Sequence, residues 1–105
     1  MTEVTRYKDR ITIKGHSGYA PIGQDIVCAA VSILVQTLIQ TIEELTADKI
    51  TYNMQPGKEE LQPGAVDIKF WCLSDPSKVL IDAFFIGIKG IEEIYPDNVK
   101  LIEML

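Results

Sequence analysis

The spacing of apolar residues alternates along the chain between a period of three to four and a period of two, which restricts the fold to a mixture of helices and strands. From about Gln24 to Leu45 the longer period holds without a break and predicts one amphipathic helix. Its predicted core stripe is Val27, Val31, Leu34, Leu38, Ile42 and Leu45.

A second helix is predicted from Ser74 or Asp75 to Ile94. Pro76 suits its first turn and Pro96 follows its end, as expected for a residue that cannot continue a helix. Its predicted core stripe is Leu80, Ala83, Phe84, Gly87, Ile91 and Ile94.

The segments outside these helices alternate between apolar and polar residues, which is the pattern of half-buried strands. Predicted strands are a hairpin within Thr2–Lys14 that turns at Lys8-Asp9, then Lys49–Met54, Ala65–Leu73 and Val99–Met104. Gly15–Gly23 and Gln55–Gly64 are rich in glycine and proline and are predicted to be loops.

The order β-β-α-β-β-α-β predicts an α+β fold in which two helices pack on one face of a small, mixed, mostly antiparallel five-stranded sheet. The 105 residues suffice for one domain, spanning 1–105. The other face of the sheet also needs a cover, which a second subunit could supply. Ile81 and Phe85 are predicted to lie on the outer face of the second helix, either at a dimer contact or covered locally by the Gln55–Gly64 loop.

Composition excludes several classes of protein. A net charge of −5 with ten scattered Lys and Arg residues argues against a nucleic-acid backbone as partner. No apolar run of membrane-spanning length and no apolar signal-peptide core is evident, so we expect a cytoplasmic protein with no membrane partner. One His and two Cys without ligand spacing predict no metal site, and no cofactor is expected.

Cys28 and His16 are the residues most suited to chemistry. Cys28 falls in the first turn of the first helix, where partial positive charge and unpaired amides favour a thiolate and an oxyanion. His16, 12 residues earlier in the glycine loop, is the one imidazole of the chain and can exchange the thiol proton. Asp25 and Ser32 lie beside Cys28 at the edge of the apolar stripe, where the thiol is expected to pack partly and still meet solvent.

Each of these residues also has an ordinary structural explanation. Cys28 beside two alanines is the kind of small side chain that fills a core, and Asp25 is a typical helix cap. Ser32 suits helix packing, whereas Gly15, Gly18 and Gly23 could serve turn geometry alone. Cys72 has no His or acid nearby in the sequence and is predicted to be structural.

Two motifs resemble the ribosomal-processing cysteine protease (Prp) family. Gly15-His16-Ser17-Gly18-Tyr19-Ala20 is similar to the Gly-His-Ala element of that family, with Ser where Ala is more common. Gly23–Ser32, with the sequence GQDIVCAAVS, matches the family's Gly-x-Asp-Ile-Val-Cys-Ala-Ala-Val-Ser element at every defined position.

The resemblance implies a cytoplasmic cysteine endopeptidase with Cys28 as nucleophile and His16 as base. It implies a substrate that is the N-terminal extension of a large-subunit ribosomal protein, cut after a pair of bulky aromatics, and it implies a homodimer. It also implies a mobile loop over the site, in which Gly15, Gly18 and Gly23 would permit motion. Asp25 matches an acidic position of the family, either orienting His16 or capping the helix.

Two other hypotheses remain open from the sequence. Related proteases occur in phage gene clusters, where the substrate would be a virion protein. A noncatalytic binding module could also keep this fold, in which case Cys28 would react with iodoacetamide no faster than an ordinary thiol.

Overall fold

The structure, a computed structural model, describes residues 1–15, 18–21, 24–56 and 63–104. Within these residues five strands and two helices follow one another in the predicted order. They are β1 (Thr2–Tyr7), β2 (Arg10–Lys14), α1 (Ile26–Leu45), β3 (Ile50–Pro56), β4 (Pro63–Phe70), α2 (Asp75–Ile94) and β5 (Val99–Met104).

The strands form one sheet in the order β3-β4-β2-β1-β5. Only the β1–β5 pair is parallel, so the sheet is mixed and mostly antiparallel, as predicted. Thr2 pairs with Val99, and Glu3 of the same strand pairs with Lys14. The end of the sheet where these residues lie is called the Gly15 end below, because β2 leads there into Gly15.

Both helices bury their apolar faces against the same side of the sheet. Val4, Ile11 and Ile68 from three strands belong to one core cluster with Ile42 of α1 and Ile88 of α2. Each of these five side chains is fully buried, which stabilises the fold by roughly 1.5–3 kcal/mol per residue. The α+β architecture of two helices on one sheet face is therefore confirmed.

The helices run in opposite directions, since α1 starts at the Gly15 end and α2 finishes there, just before β5. They approach closely at Gly87, where an added Cβ would lie 3.0 Å from Leu34 Cδ1. A glycine at this position lets the two helix axes come together, so that Leu34 packs directly onto the backbone of α2.

The predicted outer position of Ile81 and Phe85 is wrong. Their exposed fractions are 4% and 5%, and both belong to the core. Phe85 lies beneath Arg6 of β1, whose guanidinium is 4.5 Å from the ring centroid and also pairs with Asp82 at 2.8 Å. The buried arc of α2 is wider than one stripe because this helix contacts both α1 and the sheet.

Some predicted core positions are exposed instead. Leu45 and Ile94 stand at helix ends beyond the edge of the sheet, and Ala83 lies on the outer flank of α2. Val35 and Ile39 of α1 are buried although the predicted stripe omitted them. A helix that rests on a sheet buries about half of its circumference, whereas a stripe with one residue per turn covers less.

The observed bounds of β3 and β4 differ from the predicted bounds on both sides of the predicted 55–64 loop. β3 continues to Pro56 and β4 begins at Pro63, with Gln55 paired to Ala65, so the hairpin extends into that segment. β4 also ends earlier than predicted, at Phe70. Cys72 has a φ of 54°, in the left-handed region, which interrupts an extended chain.

α1 is long and apolar enough to satisfy the length and composition criteria for a membrane-spanning helix. Seven of its residues, including Val27, Leu38 and Ile42, are buried within this fold. A core helix of a globular domain satisfies the same criteria, and burial accounts for the apolar character of this face, whereas Ile26, Ile33 and Leu45 are exposed.

Asp48, in the link between α1 and β3, fixes the start of α2. Its carboxylate accepts hydrogen bonds from the Ser74 amide at 2.8 Å and the Ser74 hydroxyl at 2.6 Å. It also accepts one from the hydroxyl of Ser77, which is fully buried. These bonds, first the one from the Ser74 hydroxyl and then the one from Ser77, lower the pKa of Asp48 below its usual value of 3.8.

We predict that Asp48→Asn destabilises the protein at neutral pH and that the difference from the wild type shrinks in acid. A lowered folded-state pKa stabilises the fold above the unfolded-state pKa, and this contribution is lost as pH falls through the folded value. Urea unfolding of both proteins from pH 7 down to pH 3 measures this effect. A pH-independent difference would contradict it.

Candidate active site

Asp25 organises the start of α1. It is the residue that caps the helix, and its Oδ1 accepts a hydrogen bond from the Cys28 amide at 2.9 Å. Its Oδ2 accepts a longer one, 3.4 Å, from the amide of Ala20. The carboxylate is buried, and it joins the glycine loop to the first turn of the helix. Of the two roles left open by the sequence, helix capping is therefore the one observed among the described residues.

Cys28 is the third residue of α1 and is only 8% exposed. The sequence predicted a thiol that packs partly and still meets solvent, but the structure buries it more deeply. The reason is that Cys28 lies on the sheet-facing side of α1, next along the helix from Val27 and one turn before Val31, both buried. Its main-chain amide is already satisfied by Asp25.

Ser32 lies one turn after Cys28 on the same flank of α1 and is half-buried. The spacing expected from the sequence is therefore present. A supporting role for its hydroxyl stays a prediction, as does that of Asp25 beyond the cap.

Two of the glycines predicted to permit loop motion lie within the described residues, and both have left-handed backbone. Gly15 has a φ of 88° and Gly18 a φ of 71°. At Gly15 an added Cβ would overlap the carbonyl oxygen of Met1, whereas at Gly18 it would meet open space. Gly15 is thus required by turn geometry and by close contact with the N-terminal strand. Gly23 and His16 lie outside the described residues, so the catalytic pairing and the mobility of the loop stay predictions.

Tyr95 takes part in the site region although sequence reasoning did not select it. Its ring meets that of Tyr19 edge-to-face, with centroids 5.3 Å apart, and thereby links the loop before α1 to the end of α2. The signal that could have found it is the topology, because α1 must start where α2 ends. The amide of Gln24 also bonds the carbonyl of Pro21 at 2.9 Å, which closes the turn before Asp25.

Cys72 lies far from this arrangement along the sheet. It follows the end of β4, near Phe70, whose amide bonds Asp9 of the β1–β2 turn. Cys28 stands at the Gly15 end and Cys72 beyond the opposite end, and Cys72 is exposed. Its predicted lack of a catalytic role fits this position. In the part of the chain that the structure describes, no group of three or more His, Cys, Asp or Glu residues is arranged to hold a metal ion.

Comparison with known proteins covers almost the whole chain. The family described as cysteine protease Prp matches residues 1–100. The ribosomal processing cysteine protease Prp of Staphylococcus aureus is 24% identical over 91 residues, which are 87% of this chain and 82% of that protein.

Solved structures share the fold. The crystal structure of an essential ribosomal processing protease Prp from S. aureus, in complex with a covalently linked product peptide, has a TM-score of 0.84 at 21% identity. It covers 98% of this chain and 97% of that one. The crystal structure of SMU.848 from Streptococcus mutans has a TM-score of 0.76 at 28% identity, and covers 98% of this chain and 91% of that one.

We predict that Gly15→Ala destabilises the protein more than Gly18→Ala. At both positions alanine must adopt positive φ, which costs roughly 1–2 kcal/mol. At Gly15 the methyl group must also displace the backbone of Met1, which adds about 1–3 kcal/mol. Thermal or urea unfolding followed by circular dichroism measures both losses, with Gly18→Ala as the control for strain alone. Equal losses in the two variants would contradict the close contact at Gly15.

Proposed function

This chain belongs to the cysteine protease Prp family, and on that premise we propose that it cleaves peptide bonds with Cys28 as nucleophile and His16 as base. The observation that carries the proposal is the position of Cys28 in the capped first turn of α1, 12 residues after His16 in the sequence. A thiol at a helix N-terminus lies in the positive end of the helix dipole, which favours negative charge on sulfur during attack.

The proposed reaction passes through a thioester. His16 takes the proton from Cys28, and the sulfur forms a bond with the carbonyl carbon of the substrate while the carbonyl oxygen becomes an oxyanion. His16 returns the proton to the leaving amine as the C–N bond breaks. Water then attacks the thioester, His16 accepts its proton, and the Cys28 sulfur leaves with the proton restored. No cofactor enters these steps.

The cap by Asp25 narrows the choice of oxyanion donors. The Cys28 amide already donates to Asp25, so it cannot also bind the developing charge without breaking the cap. The amides of Ile26 and Val27 belong to the first two residues of α1 and have no acceptor within the helix. We therefore assign the oxyanion to these two amides.

Because Cys28 is buried, the proposed reaction also requires a movement that exposes its thiol to the substrate. A peptide carbonyl cannot reach a thiol in a residue that is 8% exposed unless neighbouring groups move. The segment between Gly15 and Asp25 is the element we propose to move, as the resemblance to the family implied, while Asp25 keeps its hydrogen bond to the Cys28 amide. Its anchors to the rest of the fold include the Tyr19–Tyr95 contact, which would loosen when substrate binds.

The proposed substrate is the N-terminal extension of a large-subunit ribosomal protein, cut after a pair of bulky aromatics in the cytoplasm. The support is the S. aureus relative, a ribosomal processing cysteine protease, together with the two motifs quoted above. Peptides carrying such a pair, compared with peptides in which both aromatics are alanine, test this proposal. Equal cleavage of the two peptides would contradict the aromatic requirement.

We predict that Cys28→Ala abolishes cleavage and that His16→Ala lowers it by several orders of magnitude, while both proteins stay folded. Cys28 forms the covalent bond and His16 moves the protons, and members of such a pair do not act additively. Turnover of a fluorogenic peptide with a parallel circular dichroism spectrum is the measurement. Wild-type-like cleavage by folded Cys28→Ala protein would refute the thiol mechanism.

The matched control is Cys72→Ser, which should cleave at nearly the wild-type rate. It also leaves Cys28 as the one thiol that iodoacetamide can alkylate, because Cys72 is exposed and would add its own reaction in the wild type. In the Cys72→Ser background, Cys28 should react with iodoacetamide faster than a free thiol, and His16→Ala should slow that reaction. A slow, His16-independent reaction would favour the noncatalytic binding module.

A homodimer is also part of the proposal, with a surface different from the one first expected. On α2 the exposed apolar residues Val79, Ile86 and Ile94 recur along the flank next to α1, and the small residues Ala83 and Gly90 lie between them. Such a stripe lets two helices approach closely, so we place the contact between subunits along this flank.

We predict that Ile86→Glu converts the dimer to a monomer, since it introduces a charge into the centre of the stripe. Light scattering at micromolar concentration measures the mass. Gln36→Glu adds the same charge at an exposed position of α1 and should leave the mass unchanged. A wild-type protein that is monomeric would refute the dimer, and an unchanged dimer in Ile86→Glu would place the contact elsewhere.

A further inference from the structure

The two edges of the sheet differ in charge. β5, the strand at one edge, carries Lys100 and Glu103, and charged residues at an edge discourage pairing with further strands. β3, at the other edge, has the sequence ITYNMQP and carries no charged residue. Within the described residues it pairs only with β4, so one side of its backbone carries N–H and C=O groups that none of these residues pairs as a strand.

Two large side chains of β3 are uncovered on the helix side of the sheet. Tyr52 pairs with Ile68 and Met54 pairs with Val66, and both partners are buried in the core. Residues paired across a sheet point to the same face, so Tyr52 and Met54 also face the helix layer. They are nevertheless 48% and 45% exposed, because α1 does not extend over the outer strand.

The flank of α1 that carries Cys28 is turned toward this strand. Leu34 faces α2, as its contact with Gly87 shows. At about 100° per residue, Cys28 lies about 120° and Ser32 about 160° around the helix from Leu34. Because α1 packs over the β3 side of the sheet and α2 over the β5 side, the flank opposite α2 faces β3.

The uncovered residues of β3 also lie near the end of the sheet at which α1, and therefore Cys28, begins. β3 runs from Ile50, near the end of α1, toward the Gly15 end, where α1 begins. Met54 lies in the same row across the sheet as Val66 and Ile13, and Ile13 is two residues before Gly15. The uncovered residues of β3 therefore occupy the side of the fold on which Cys28 is found.

We infer that the peptide substrate binds as an added strand along the open edge of β3, with its apolar or aromatic side chains on Tyr52 and Met54. Hydrogen bonds to the β3 backbone hold the peptide extended irrespective of its sequence, and alternate side chains of the peptide meet the two apolar residues. An uncharged strand with an aromatic ring and a thioether suits an aromatic peptide segment. This inference rests on the proposed protease function and adds its specificity surface.

The first experiment separates binding from chemistry. We expect the Tyr52→Ala and Met54→Ala double variant to raise KM for an aromatic peptide roughly tenfold, with kcat changed by less than about threefold. Both side chains are exposed, so the variant should fold. Met104→Ala, which removes an exposed methionine from the opposite edge strand, is the matched control and should leave KM unchanged.

The second experiment tests backbone pairing without altering the protein. A series of fluorescent substrate peptides is prepared in which each peptide carries one backbone N-methyl group, at a different position. The affinity of each peptide for Cys28→Ala protein is measured by titration. In a strand pair only alternate amides point to the neighbour, so methylation should weaken binding roughly tenfold at every second residue. Uniform effects, or none, along the series would overturn the added-strand geometry.

The outcomes distinguish this inference from the proposed function. If the wild type cleaves but the double variant has wild-type KM, the β3 surface is refuted and the protease function stands. If the wild type does not cleave but Cys28→Ala protein binds the peptide with the alternating pattern, the β3 surface stands and the protease function fails. If the wild type is a dimer, the double variant is a monomer and the N-methylated peptides show no alternation in affinity, then β3 pairs with a second copy of the chain. The inference is overturned in that case.

Discussion

The buried carboxylate of Asp25 is the interaction on which the geometry of the site depends. An unpartnered carboxylate in such a position would cost several kcal/mol, and here its two oxygens accept amide hydrogens from Cys28 and Ala20. One bond fixes the first turn of α1 and the other fixes the loop that precedes it. The Asp25 side chain thereby connects Cys28 to Ala20 in the preceding segment, and it already accepts the Cys28 amide hydrogen.

Burial of Cys28 and exposure of the β3 edge are complementary features of this fold. A protected thiol limits side reactions, but it requires that the substrate arrive already aligned. In the inferred complex a strand edge supplies alignment through the peptide backbone, and the exposed Tyr52 and Met54 supply an apolar surface beside it. In the proposed mechanism, access to Cys28 depends on the loop and capture of the peptide depends on β3, so separate elements perform the two steps.

The main elements of the fold could be predicted from periodicity, and the strand Val99–Met104 agrees with its predicted bounds. The direction in which each side chain of α2 points could not be predicted as well. A helical wheel gives the width of an apolar arc but does not say which part meets α1, which meets the sheet and which stays outside. Phe85 is buried because Arg6 and β1 cover it, and Val79 and Ile86 are exposed because none of the described elements covers that flank.

The sequence by itself determined the order of the elements, the family and the candidate dyad, because periodicity and a local motif are properties of neighbouring residues. Tertiary structure decided that Asp25 caps α1, that Cys28 is buried and that Gly15 abuts the N-terminal strand. It also decided that Tyr95 meets Tyr19, although they are 76 positions apart in the chain. These contacts join segments that are distant in sequence, and only the packing of helices on the sheet brings such segments within van der Waals or hydrogen-bond distance.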